Sequence, residues 1–322
     1  MKIGLIDVDG HNFPNLPLMK LSAYHKSKGD SVEWYSPLLS KKLDIVYASK
    51  VFSFTDDYKF NINADKIIKG GTGYAISLIN GKEVYDKTKD KPLPDEIEHI
   101  YPDYDIYNIK DIAYGFLTRG CPRGCSFCHV KDKEGLCSYK VANVSEFWRG
   151  QKKIILSDPN ILACKDWKEL FLQILSTKAS IDFNQGLDIR LMNEEKARMI
   201  SKMKIKNIHF AWDRIEDKDF IEKKFEEFRE ISTKNSHNLK VFVLCGDREP
   251  KLLEQDLYRV MWLRNHGYTP YVMLYNKSNL PKGHELIKLQ GWTNNMRTFF
   301  KYNTFEEYIK KENNNSSQIS LL

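Results

Sequence analysis

Three cysteines within eight residues, Cys121, Cys125 and Cys128, offer the most distinctive chemistry in this chain. They stand in Leu117-Thr118-Arg119-Gly120-Cys121-Pro122-Arg123-Gly124-Cys125-Ser126-Phe127-Cys128-His129 and make up half of the six cysteines present. Thiolates crowded on one segment repel one another unless they share a metal or pair as disulfides. Structural cysteines scatter through a core as small hydrophobes. A metal is the better account of the crowding. Pro122 and Gly124 between the first two cysteines exclude a regular helix and leave a loop, which can turn three sulfurs toward one point. In a four-iron cube each iron takes one protein thiolate, so three cysteines leave one iron open to an exogenous ligand.

The spacing C-x3-C-x2-C, with Phe127 just before the last cysteine, resembles the cluster motif of the radical S-adenosylmethionine (SAM) enzymes. The resemblance implies that Cys121, Cys125 and Cys128 hold a [4Fe-4S] cluster whose open iron binds the amino and carboxylate groups of SAM. It also implies reduction by a donor such as a flavodoxin or ferredoxin, with cleavage of SAM to a 5′-deoxyadenosyl radical. The protein would then position the cofactor and shield the radical from water. The motif follows Ile112-Ala113-Tyr114-Gly115-Phe116-Leu117, an apolar run that reads as a first barrel strand. The competing reading is a zinc site built on Cys125-x-x-Cys128 with His129, Cys137 or Cys164. A second CxxC or HxxxH pair, the usual partner of such a half-site, is absent from the sequence. Cys137, Cys164 and Cys245 are isolated and read as core or surface thiols, Cys137 also as an auxiliary ligand.

A chain of 322 residues with 42% hydrophobic content supports a folded core in one large domain or two. The apolar run at the amino terminus is too short for a signal peptide, and no stretch approaches membrane-spanning length. A cytoplasmic protein with no membrane partner is therefore expected, in a reducing compartment that suits an oxygen-sensitive cluster better than a disulfide scaffold. Lys and Arg number 50 against 43 Asp and Glu, a net charge of +7. That excess fits an ordinary basic surface, with an RNA or other anionic substrate as the alternative.

The elements that must position the cysteines follow from the periodicity, which predicts an α/β chain. Residues 3–9 read as a strand ending in Asp7 and Asp9, residues 16–28 as a helix, and residues 31–35 and 44–48 as strands. This order resembles the cobalamin-binding-type Rossmann domain that precedes the barrel in one subset of radical SAM enzymes, and residues 15–25 are similar to its first helix. Many cobalamin-binding members carry Asp-x-His-x-x-Gly. Here Asp9-Gly10-His11 comes nearest and lacks the glycine, which disfavours cobalamin, although some members bind it without the histidine. Gly70-Gly71-Thr72-Gly73 is either a turn or a phosphate cradle, and it does not fit the dinucleotide fingerprint. The Rossmann-like domain is assigned to residues 1–80. Residues 81–111, polar and containing Pro92, Pro94 and Pro102, read as a linker. Its Tyr101, Tyr104 and Tyr107 either pack the connector or shape a substrate mouth.

From 112 to 310 strand-like and helix-like segments alternate as six βα units, which fits the partial (β/α)6 TIM-type barrel of radical SAM cores. Parallel strands joined by helices present ligands at their carboxyl ends, so the polar residues just past each strand become candidates. The resemblance implies that Asp158, in Ser157-Asp158-Pro159-Asn160, accepts from the SAM ammonium, with a turn cap as the alternative. Gln185 and Arg190 follow the next strand, Arg190 facing the SAM carboxylate or substrate, or else bridging to Asp188. Asp213 is a candidate for ribose or substrate hydroxyls, and Gly246 for close backbone approach to a ligand within Cys245-Gly246-Asp247. Tyr275-Asn276 ends the last strand. Residues 289–302, with Trp292, Arg297, Phe299, Phe300 and Tyr302, cover the open side of a barrel, stack a base, or pack as core or lid. The tail 311–322 is expected to lack order. The expected reaction is a methylation, thiolation or rearrangement. Sulfur insertion ranks lower because no second cysteine set is present. The alternative class is a non-catalytic zinc or iron–sulfur module contacting nucleic acid.

Overall fold

Lys2-Ile3-Gly4-Leu5-Ile6-Asp7 forms an inner strand of a parallel sheet in the computed structural model, which describes residues 1–79, 82–246, 253–275 and 277–311. The chain is mixed α/β and separates into two units, Met1–Ala179 and Ser180–Leu322. Among the described residues no helix is long and apolar enough to cross a membrane.

The first unit opens with β1 (Lys2–Asp7), α1 (Leu16–Ser27), β2 (Ser31–Trp34), β3 (Leu43–Ser49) and β4 (Ala64–Gly70). The four strands run parallel in the order β2-β1-β3-β4. Alternation along β1 sends Ile3 and Leu5 to one face, where Leu18 and Leu21 of α1 cover them, and Ile6 to the other, against Leu43 and Val46. The helix begins where Asn15 takes the Leu18 amide on its side chain, with Pro17 in the first turn. Burying a side chain such as Leu18 contributes about 1.5–3 kcal/mol. The glycine run after β4 is a turn laid on the end of β3. Gly71 has φ +100 and a Cβ there would stand 2.3 Å from the Lys50 carbonyl oxygen, while the Gly73 amide donates to that same oxygen. That one amide is thus committed within the protein.

Short α2 (Thr72–Ala75) leads into an antiparallel hairpin, β5 (Ile76–Ile79) and β6 (Lys82–Tyr85), followed by α3 (Asp95–Glu98). Residues 82–111, polar as they are, contribute packing. The Tyr104 hydroxyl donates to the Phe147 carbonyl and accepts the Tyr114 amide, and the Tyr107 hydroxyl donates to Asp7. Next come β7 (Ile112–Gly115), β8 (Thr118–Arg119), α4 (Val130–Lys133), β9 (Tyr139–Lys140), β10 (Lys153–Leu156) and α5 (Trp167–Thr177). Strands β7 and β10 pair in parallel and β8 and β9 antiparallel.

The second unit holds β11 (Ser180–Phe183), α6 (Glu194–Lys202), β12 (Lys204–Ile205), β13 (Ile208–Ala211), α7 (Lys218–Ile231), β14 (Leu239–Cys245), α8 (Leu253–Asn265), β15 (Thr269–Leu274), α9 (Glu285–Asn294) and α10 (Met296–Lys301). Strand β11 runs parallel to β12, and β13, β14 and β15 form a parallel sheet in that order. Helical spacing puts Ile221, Phe225 and Phe228 of α7 on one buried stripe, and the two phenylalanines meet Phe210 of β13 edge-on. Buried Arg259 of α8 ties two strand ends together by donating to the carbonyls of Trp212 and Leu244 while pairing with Asp256. In the carboxyl-terminal segment Trp292 and Phe299 are buried against each other with ring centroids 5.0 Å apart, which is core packing. Asp247, Asn276 and the tail from residue 312 lie outside the described residues.

Candidate metal centre

The segment with the cysteines is a loop because its sequence permits nothing regular, and its two ends are fastened. Thr118 and Arg119 pair with Lys140 and Tyr139, so residues 120–138 are closed at the base by a two-residue antiparallel clip. Gly120 makes the closure possible. Its φ is +77, and a Cβ there would stand 2.0 Å from the Cys137 carbonyl oxygen, so the two arms touch through the glycine. Glu134 completes the fastening, accepting Arg119 Nη1 at 3.0 Å on one oxygen and the Gly120 amide at 2.9 Å on the other. The Cys121 amide donates to the Gly135 carbonyl, and the Cys128 amide to that of Cys125. Arg119 also lies over the Phe116 ring at 3.4 Å.

All three cysteines are free and half-buried. Burial pushes the Cys128 thiol up, and the nearby Cys125 and Cys121 push it further in the same direction. That response is what crowded thiols show: each ionised neighbour disfavours the next until a cation offsets the charge. Phe127 is half-buried beside them. Neighbouring donors are committed. His129 pairs with Glu83, which also takes the Ser53 hydroxyl, and Glu134 serves the loop base.

The loop after β10 meets this segment at two points. Asp158, 3% exposed, accepts the amides of Leu117 and Thr118 and the Thr118 hydroxyl on a single oxygen, while its other oxygen is buried with no hydrogen-bond partner among the described residues. Burial pushes its carboxyl up to about 6. The side chain therefore clamps the backbone just before the loop rather than capping a turn at Pro159. Two residues on, buried Asn160 points its amide at Cys121, Nδ2 to Sγ 3.5 Å. Nothing local in the sequence announces that Asn160 has a partner 39 positions back.

The remaining candidates belong to the second unit and follow its strands. Gln185 is exposed in the turn after β11, and Arg190 donates Nε to Asp188 at 2.7 Å in an ion pair. Asp213 is half-buried just past β13. Gly246, just past β14, has φ +80. Arg259, which grips these strand ends, escapes motif reading. Its one signal is that Asp256, Arg259, Val260 and Leu263 share a helical stripe on which charges are out of place. Cys164 and Cys245 are buried and Cys137 is exposed. His11, of the Asp9-Gly10-His11 string, packs its ring on Trp34 at 4.3 Å.

The donor set suits an iron–sulfur group chemically: three unpaired soft thiols on one non-helical loop. Among the described residues no three His, Cys, Asp or Glu side chains form a group that could hold a metal ion. A mononuclear zinc site needs every sulfur about 2.3 Å from one ion. A cube spreads its thiolates over separate irons, and the loop must bring them around it. Comparison of the chain with protein-family models and with curated proteins finds no match.

Proposed function

We propose that this chain is a radical SAM enzyme with a Rossmann-like amino-terminal domain and a partial (β/α)6 barrel. Cys121, Cys125 and Cys128 would hold a [4Fe-4S] cluster that, when bound, supplies the electron for reductive cleavage of SAM to a 5′-deoxyadenosyl radical. The observation that carries the reading is the set of three free, half-buried thiols at C-x3-C-x2-C spacing on one fastened loop. The parallel order β2-β1-β3-β4 and the strand-then-helix alternation are in keeping with it. What the chain's own residues do is mechanical and electrostatic. Gly120 and Glu134 close the loop base, Asp158 fixes the backbone that enters it, and the half-buried surroundings raise the cost of a lone thiolate.

Anaerobic reconstitution with iron and sulfide, reduction with dithionite and addition of SAM should yield 5′-deoxyadenosine from the wild type. Cys125→Ala should yield none above background, a loss of at least a hundredfold, because an iron without its thiolate leaves the cluster incomplete. Bound zinc, with no deoxyadenosine from either protein, would sink the proposal.

A further inference from the structure

We propose that Asn160 is a positioning residue for the iron–sulfur group, acting through Cys121: its side-chain amide donates a hydrogen bond to the thiolate sulfur and raises the reduction potential. This assignment rests on the reading of the cysteines given above. The geometry that points to it is local and complete. Asn160 Nδ2 stands 3.5 Å from Cys121 Sγ, and the residue is 3% exposed, so water does not compete for the sulfur from that side. Its backbone is held from two directions, the carbonyl accepting the Ser138 hydroxyl at 2.9 Å and the Ala163 amide at 3.2 Å. Pro159 fixes φ immediately before it, and Asp158 anchors the same loop to Leu117 and Thr118. The side chain is thereby aimed at one cysteine of the three.

Electrostatics set the sign. One-electron reduction adds negative charge to the cluster, part of which resides on the thiolate sulfurs. An N–H donor stabilises the more negative state more strongly, and in a buried setting that preference is little screened. Removing the donor lowers the potential. The expected size is about a tenfold loss in the equilibrium constant for reduction, which is about 59 mV for one electron.

The test is an EPR-monitored redox titration of reconstituted wild type, Asn160→Leu and Asn160→Asp, with iron and sulfide counted per chain. Leucine fills the space without a donor, and aspartate keeps the shape but carries no N–H. Aspartate also brings a carboxylate, whose charge lowers the potential by itself, so the neutral leucine variant decides: a role in packing alone would leave it at the wild-type potential, whereas the assignment requires it to fall. Loaded variants whose potentials match the wild type overturn the assignment and leave the cluster reading standing. A wild type that assembles no iron–sulfur absorbance overturns the cluster reading and the assignment with it. Should circular dichroism show the Asn160 variants unfolded, Ser138→Ala is titrated instead, since it releases the carbonyl that aims the amide. A lowered potential then supports the assignment and an unchanged one overturns it.

Discussion

Gly120→Ala is expected to destabilise the apoprotein by about 3 kcal/mol and to abolish cluster loading, while Gly124→Ala, four residues further into the same motif, costs only about 1 kcal/mol. Both glycines have positive φ, +77 and +57, so both substitutions incur backbone strain. Their surroundings separate them. At Gly120 the new methyl would stand 2.0 Å from the Cys137 carbonyl oxygen, a backbone atom that cannot swing aside without parting β8 from β9. At Gly124 the nearest atom is a Leu136 methyl at 3.4 Å, an ordinary contact with a side chain that can move. Urea melts of the two apoproteins, with iron and sulfide per chain after reconstitution, would measure the difference. Equal melts and equal loading would show that the loop base does not close through Gly120.

Asp158→Ala is expected to cost about 3 kcal/mol, since it strands the amides of Leu117 and Thr118 and the Thr118 hydroxyl in a buried place. Asp158→Asn keeps the accepting oxygen and should stay within about 1 kcal/mol of wild type in mild acid, where both side chains are neutral. Its signature is in the pH dependence. The folded carboxyl is pushed from its ordinary 3.8 up to about 6, first of all by burial. Between those values the folded chain binds the proton and the unfolded chain does not, so stability declines as pH rises through that window. A displacement of that size is worth about 3 kcal/mol between mild acid and neutrality. The asparagine variant has no proton to lose there and should show a flatter profile. Urea titrations of both proteins across the window, giving the same slope, would mean that Asp158 ionises as it does in water.

The cysteine motif was legible because its spacing is local and its composition rare, and the strands were legible because apolar runs such as Lys153-Ile154-Ile155-Leu156 sit between amphipathic stretches. What the pattern could not carry is contact between distant residues. Gly120 looks like any turn glycine until Cys137 is seen against it. Glu134 ends a four-residue helix with no sign that both its oxygens reach back to the loop base. Residues 81–111 read as a linker because prolines and charges dominate them, yet Tyr104 and Tyr107 fasten them to Phe147 and Asp7. Periodicity reports which face of an element is apolar. It does not report where a hydroxyl or an amide finds its partner. Arg190 and Asp188 are the exception, two residues apart and paired as short-range chemistry suggests.

The clip between β8 and β9 has an entropic side. Bringing the ends of a flexible segment such as residues 120–138 together costs roughly 3 kcal/mol in lost chain freedom. Because the Thr118–Arg119 and Tyr139–Lys140 pairing is made within the polypeptide, that cost falls on folding and not on cofactor assembly. Under the proposed function, iron and sulfide arriving at the loop would meet thiols whose range is already restricted, and the free energy of binding would go into Fe–S bonds instead of into gathering a loose chain. The chain would in this sense be a receptor formed ahead of its proposed ligand.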